Sequence, residues 1–230
     1  MSRDVYAALS GASAAWTQLE VVANNMANAS TSGFKASRVA FRAVGPGGHP
    51  LGEGYAVSRG SGVDLRDGAL VSDSVPTHVA LQGPGWFVLD DHGSQLLTRD
   101  GHFTLSEDGQ LMHASGLPVQ GEGGPIEIPE GETLRIDEKG TIYGSVSGEI
   151  DRIRVVDGPV RAVGTNLFAA DGPLTEADGR VVQGALEASN VDPMAVMVDL
   201  VQAGRMFETY QKAMQASDEL DERLNRVGGH

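Results

Sequence analysis

Three histidines, His92, His102 and His113, fall near successive turn signals in the middle of the chain. That spacing permits them to converge on a metal ion. With no cysteine in the sequence and carboxylates abundant along it, the alternative reading is that they are exposed turn histidines. No serine has glycine both two before and two after it, no His-Glu-x-x-His occurs, and the glycine-rich stretch 45–54 lacks the Gly-Lys-Ser/Thr of a phosphate loop. The residues therefore offer no catalytic set, no metal set and no cofactor site, and the expectation is that the protein is not an enzyme. Two other pairs invite a reading. Trp86-Phe87 lies in a strand-like run, so one ring faces a core and the other is free for an interface. Arg205 and Glu208 are spaced for polar contacts between subunits, or for a plain solvated pair on a helix.

The elements that must position these residues follow from pattern and charge. In 230 residues there are 31 acidic and 17 basic side chains, a net charge of −14, which leaves no electrostatic footprint for nucleic acid or an anionic membrane. No apolar run approaches the roughly 18 residues needed to cross a bilayer. The first residues lack the apolar stretch and cleavage site of a secretory signal. Composition leaves open whether such a chain is cytoplasmic or exported with its N-terminus uncleaved.

Val5, Leu9, Ala12, Trp16, Leu19, Ala23 and Met26 alternate at spacings of four and three, a heptad seam on an N-terminal helix whose other faces are uncharged. Leu200, Ala203, Phe207, Tyr210, Met214, Ser217, Asp221 and Leu224 keep the same alternation inside a helix predicted over roughly 193–227, with Asp192 as cap and Pro193 in its first turn. Between them, Gly45 to Gly54 reads as a linker. From about Val75 onward, short β-type runs alternate with Asp-Gly turns at Asp100-Gly101, Asp108-Gly109, Asp157-Gly158, Asp171-Gly172 and Asp178-Gly179. The expected fold is mixed α and β: two long terminal helices packed as a coiled-coil-like pair, and a central all-β domain of short strands. The expected divisions are an N-terminal helix in 1–33, a linker and extended segment in 34–74, the β-domain in 75–185, and the C-terminal helix in 186–230.

Five motifs in order carry a resemblance. The string Ala23 to Lys35 contains Asn24, Asn25, Asn28, Thr31, Gly33 and Phe34; Val79 to Val88 ends in Gly-Pro-Gly-Trp-Phe-Val; Leu97 to Leu105 reads Leu-Thr-Arg-Asp-Gly-His-Phe-Thr-Leu; Asp108 to Leu111 follows; and Gly184 to Asp192 contains Leu186, Ser189 and Asn190. This series resembles the flagellar rod and hook proteins over nearly the whole chain. The short glycine-rich linker and the run Gly121 to Pro129 look more like a proximal-rod member than a distal-rod or hook member. One departure is Gly204, which precedes Arg205 where the family usually has another residue.

The resemblance implies a structural subunit of an axial helical assembly, exported by the flagellar type III apparatus without a cleaved signal peptide and located in the periplasmic rod of the basal body. Its implied partners are other rod proteins above and below, copies of itself and the export apparatus, with no nucleic acid, no membrane insertion and no cofactor. The seam residues would pack subunits together, and their implied task is mechanical: transmitting torque from motor to hook.

Overall fold

The structure is a computed structural model that describes residues 3–44 and 55–227. The glycine-rich stretch 45–54, read above as the heart of a linker, lies outside the described residues, as do the side chains of Val5 and Leu224. The chain forms two compact units, each assembled from separate parts of the sequence.

Of the described residues, the first unit holds 3–27, 37–44, 55–62 and 192–227. It contains helix α1 (Arg3–Ala27), strands β1 (Ser37–Val44) and β2 (Tyr55–Val63), which pair with each other, and helix α2 (Pro193–Val227). Helix α2 starts where its cap predicts. The Asp192 carboxylate accepts from the Met194 and Ala195 amides at 2.9 and 3.3 Å, satisfying donors that the first turn leaves free. At the other helix, Asn25 Nδ2 donates to Ser37 O and Ser37 N donates back to Asn25 Oδ1, both at 2.8 Å, so one motif asparagine fixes the path of the chain into β1.

The helices lie beside each other, but not as the coiled-coil-like pair expected from the sequence. Two seam residues of α1, Leu9 and Trp16, remain 54% and 49% exposed, and Ala23 is exposed as well. The buried stripe is Ala12, Ala15, Val22 and Asn25, a face centred about a quarter turn away from the heptad seam at 3.6 residues per turn. The physical cause is residue size. Tyr210 sits directly on Gly11, where even a Cβ would fall 2.3 Å from its ring, and Ala203 is buried on α2. Small residues let the helices touch locally, and Trp16 meets Phe207 obliquely with ring centroids 5.4 Å apart. Knobs filling holes along a seam are not what holds them. The opposite face of α2 stays bare, with Met194, Met197, Val198 and Val201 all exposed.

The second unit holds residues 28–36 and 63–191. Its strands are β3 (Leu70–Ser72), β4 (Val79–Gln82), β5 (Trp86–Asp91), β6 (Ser94–Thr98), β7 (Phe103–Leu105), β8 (Leu111–His113) and β9 (Arg135–Ile136). They continue with β10 (Thr141–Gly144), β11 (Gly148–Arg152), β12 (Val155–Asp157), β13 (Val160–Ala162), β14 (Leu167–Ala170), β15 (Thr175–Glu176), β16 (Arg180–Gln183) and β17 (Ala185–Glu187). The largest sheet is ordered β13-β14-β6-β5-β12-β15, flanked by the sheet β11-β10-β9 and the pairs β16-β4, β17-β3 and β7-β8. All their ladders are antiparallel.

Strand β5 explains why the unit has two apolar centres. Its side chains alternate, so Phe87 and Leu89 enter one core with Val79, Phe103 and Ile142, while Trp86 and Val88 enter another with Leu97, Val156 and Phe168. Both rings of Trp86-Phe87 are therefore core residues, Trp86 only 3% exposed and packed at 4.6 Å on Phe168. Neither is left free for an interface. The segment 34–74, read as a linker and extended segment, carries β1, β2 and β3.

Candidate functional site: a buried ionic knot built from the terminal motifs

Strand β17 presents Ala185 and Glu187 to the same face, and both are buried. A glutamate at an inward position needs compensating charge and hydrogen bonds, since an isolated buried carboxylate is strongly unfavourable. Glu187, 1% exposed, has both. Its Oε1 accepts from Lys35 Nζ at 2.7 Å and from the Gly68 amide at 2.8 Å, and its Oε2 accepts from Arg99 Nη1 at 3.3 Å.

The two cations are equally committed. Lys35, 2% exposed, also donates to Arg66 O at 2.8 Å and lies 4.0 Å from Asp67. Arg99, 3% exposed, also donates to Leu81 O, to Gly83 O at 2.6 Å and to Asp67 Oδ1 at 3.4 Å, and its guanidinium stands 5.6 Å over the Trp86 ring. One buried carboxylate thus ties residues 33–36, 66–68, 81–83 and 99 to the end of the β-unit.

Backbone bonds draw the same segments together. The Gly33 amide donates to Glu187 O at 2.7 Å. Asn190 Oδ1 accepts from the Ala36 amide, and its Nδ2 donates to Asp64 O and Arg66 O, all within 2.9 Å. Asp64 receives Arg66 in a two-pronged pair at 2.7 to 3.0 Å, which raises the Arg66 pKa through the hydrogen bonds and then the charge of that carboxylate. Gly33 has φ +66°, and a Cβ there would stand 2.3 Å from the Asp100 amide nitrogen, so no other residue fits without moving backbone. Gly101 is required for closeness instead: its Cβ would overlap Val79 O.

Of the motif residues chosen from sequence, Gly33, Phe34 and Asn190 lie in or against this knot, Ser189 caps the next turn by accepting from Val191 N at 3.2 Å, and Thr31 bonds Asn28 at 3.2 Å. Leu186 is half-buried and Asn24 exposed. Asn25 works in the helical unit, as described. Arg205 and Glu208 are exposed, and no ion pair joins them among the described residues. Of the seam residues, Leu19, Met26, Leu200, Phe207, Tyr210 and Met214 are half-buried. Sequence reasoning passed over Lys35, Arg99 and Glu187, although each stands inside a quoted motif; the signal was an acid at a core-facing strand position with two cations elsewhere in the same motif series.

The histidines do not converge on a metal, and no metal-binding cluster occurs among the described residues. His92 is exposed at a turn with φ +50°. His102 is exposed and meets His78 edge-on at 4.5 Å. His113 departs from the exposed turn histidine expected: it is 3% exposed, its Nδ1 accepts from the Ser115 amide at 3.1 Å and faces Ser115 Oγ at 2.8 Å, and its Nε2 lies 3.3 Å from Asp100. Asp100 is itself bonded by Asn166 Nδ2 at 2.8 Å and the His102 amide at 3.1 Å. This serine, histidine and aspartate series closes a turn, since Gly116 N donates to His113 O, and the one cleft described on this unit is lined by other residues.

Lys35, Arg99 and Glu187 each fall inside a segment that a family model matches. Residues 5–35 match the model described as flagella basal body rod protein, 80–144 the flagellar hook protein FlgE/F/G D1 domain, and 182–227 the flagellar basal body rod FlgEFG protein C-terminal. The chain belongs to the flagellar basal-body rod proteins, and it is a structural protein rather than an enzyme. It is 36% identical to the flagellar basal-body rod protein FlgF of Salmonella typhimurium and 34% identical to FlgF of Escherichia coli, each over 99% of this chain and 98% of the relative. The FlgG rod protein of Borreliella burgdorferi is 29% identical over 96% of both chains.

Proposed function

We propose that this rod protein is a torque-bearing subunit of the proximal rod, joined to axial neighbours above and below and to copies of itself through its terminal helices. The observation that carries this reading is the buried knot at Glu187. A subunit that passes torque between neighbours needs the segments adjoining its two helices held firmly; Lys35 and Glu187 hold them with a charge-assisted bond sealed from water, and Asn190 adds neutral, half-buried hydrogen bonds. Residues proposed for subunit packing are the apolar side chains the single chain leaves partly bare, chiefly Leu9, Trp16, Leu200, Phe207, Tyr210 and Met214. Heterologous contacts through different faces of each copy would build a helix rather than a closed dimer. The proposal includes a periplasmic position and delivery by the flagellar type III export apparatus.

Electron microscopy of basal bodies from cells with and without the gene tests it. The expected result is a truncated or missing rod in the deletion strain, with this chain present in rods of the parent. An intact rod in the deletion strain would overturn the reading.

A further inference from the structure

The chain has no cysteine, so its seven methionines are the only sulfur it carries. Two of them stand together on the first turns of α2, open to solvent. Met194 is 72% exposed and Met197 46% exposed, and with Val198 and Val201 they occupy positions i, i+3, i+4 and i+7, one apolar stripe of the helix. Met26, Met112 and Met214 are half-buried. Met206 is exposed, but it lies about 120° round the helix from Met194, off this stripe.

A thioether is apolar and flexible, which suits an adaptable apolar contact, and it is also open to oxidation. The sulfur lone pair attacks a peroxide oxygen, and the S–O bond forms as the O–O bond breaks. Sulfur gives up two electrons, the peroxide takes them, and water leaves when the oxidant is hydrogen peroxide. The sulfoxide so formed is polar and accepts hydrogen bonds. On a solvated helix water satisfies the new oxygen, but against an apolar partner surface nothing does. Val198 and Val201, the neighbours on the stripe, have no side-chain donor to offer it.

We propose that Met194 and Met197 are an oxidation site of the free subunit: a peroxide converts both to sulfoxides before assembly, and the oxidised chain is shut out of the rod until a methionine sulfoxide reductase restores the thioethers. Assembled copies have the same pair covered and stay reduced. The inference rests on the rod-subunit reading, in which neighbouring subunits cover α2, and adds a chemical control on which copies enter.

Two measurements test it. One dose of hydrogen peroxide is given to the dilute full-length protein and to purified basal bodies, and sulfoxide at each methionine is counted by peptide mass spectrometry. In the dilute chain Met194 and Met197 should oxidise at least about fivefold faster than Met26 and Met112, and in rods at least about tenfold slower than in the dilute chain. The second measurement quantifies the chain in basal bodies from cells whose only copy is a variant. Met194→Gln with Met197→Gln keeps side-chain length and helix propensity but fixes a polar group at both positions; it should lower incorporation about tenfold with an unchanged helical circular dichroism signal. Met194→Leu with Met197→Leu, and Met206→Gln alone, should enter rods as the parent does. Slow oxidation of the pair in the dilute chain, equal rates in rods and dilute chain, or full incorporation of the glutamine pair overturns the proposal and leaves the rod reading standing. Exclusion of the leucine pair or of Met206→Gln does the same, because polarity at this stripe would then not be the bar. Rods that assemble without the chain overturn both.

Discussion

At the scale of single residues, the structure depends most on groups that the sequence offers as ordinary surface charges. Glu187 is the buried anion that two buried cations share, so deleting it leaves Lys35 and Arg99 in the interior with only the half-exposed Asp67 facing them. Breaking a buried pair from one side costs about 3 to 5 kcal/mol, and Glu187→Ala should lower the urea midpoint of the β-unit accordingly. Lys35→Met, which removes a cation but retains apolar stem packing, should cost less than Glu187→Ala; equal midpoints for both variants and the parent would show that the knot contributes nothing. A second carboxylate makes a prediction of another kind. Glu132 is held at a pKa of about 2 by the hydroxyl of Ser147 and then the amide of Val146, with the Ser147 amide and Ser145 hydroxyl also donating. A depressed folded pKa means the clasp on the 145–147 turn is present above the ordinary glutamate value of ~4.3 and is lost as pH falls through about 2. The amide signals of Val146 and Ser147 should therefore titrate near pH 2 by NMR, and Glu132→Gln should abolish that titration; a midpoint near the ordinary glutamate value would contradict the clasp.

At the scale of elements, Gly204 is the test of what α2 is for. A Cβ added there meets nothing within 4 Å, so Gly204→Ala has room in the single chain. It should stabilise the helix by up to about 1 kcal/mol through propensity alone, seen as a higher melting temperature of the helical circular dichroism signal. Gly204→Leu should fold equally well, yet abolish motility if a neighbouring helix approaches that face in the rod; full motility would place Gly204 away from any interface. The helix itself was legible in the sequence because three-four alternation, the Asp192 cap and Pro193 are all local signals. The same alternation misled at α1, where of the seam residues Ala12 is buried but Leu9 and Trp16 are not, and Gly11 and Ala15 off the seam share the packing with it, because close approach depends on size and not on period. The strands from Phe103 and Thr141 are readable as short β-type runs between turn signals, whereas the alternating run from Ile150 to Val156 breaks into β11 and β12 where Ile153 pairs with Gly121 instead. The knot could not be read from any window. Lys35 and Glu187 stand 152 residues apart and Arg99 and Glu187 stand 88 apart, and only the inward register of β17 brings them together.

At the scale of the whole molecule, the two units differ in how much apolar surface each has covered. The β-unit buries Phe87, Phe103, Leu81, Leu97 and Ile142 completely, and its terminal motif segments are tied in by charge-assisted bonds. The helical unit leaves Leu9, Trp16, Met194, Val198 and Val201 about half exposed or more, and its buried positions are largely alanine, which contributes little transfer free energy on burial. Local stability follows covered apolar surface, so the units should open at different free energies. In dilute full-length protein, hydrogen exchange should be slow across β4, β5 and β6 and fast along α2, particularly beyond Met214. In assembled rods the same α2 amides should become strongly protected, because neighbouring subunits would cover the bare face of Met194, Met197 and Val201. Equal protection of both units in the dilute chain would mean that the helices need no partner to be stable, and the apolar face of α2 would then have to be explained without assembly.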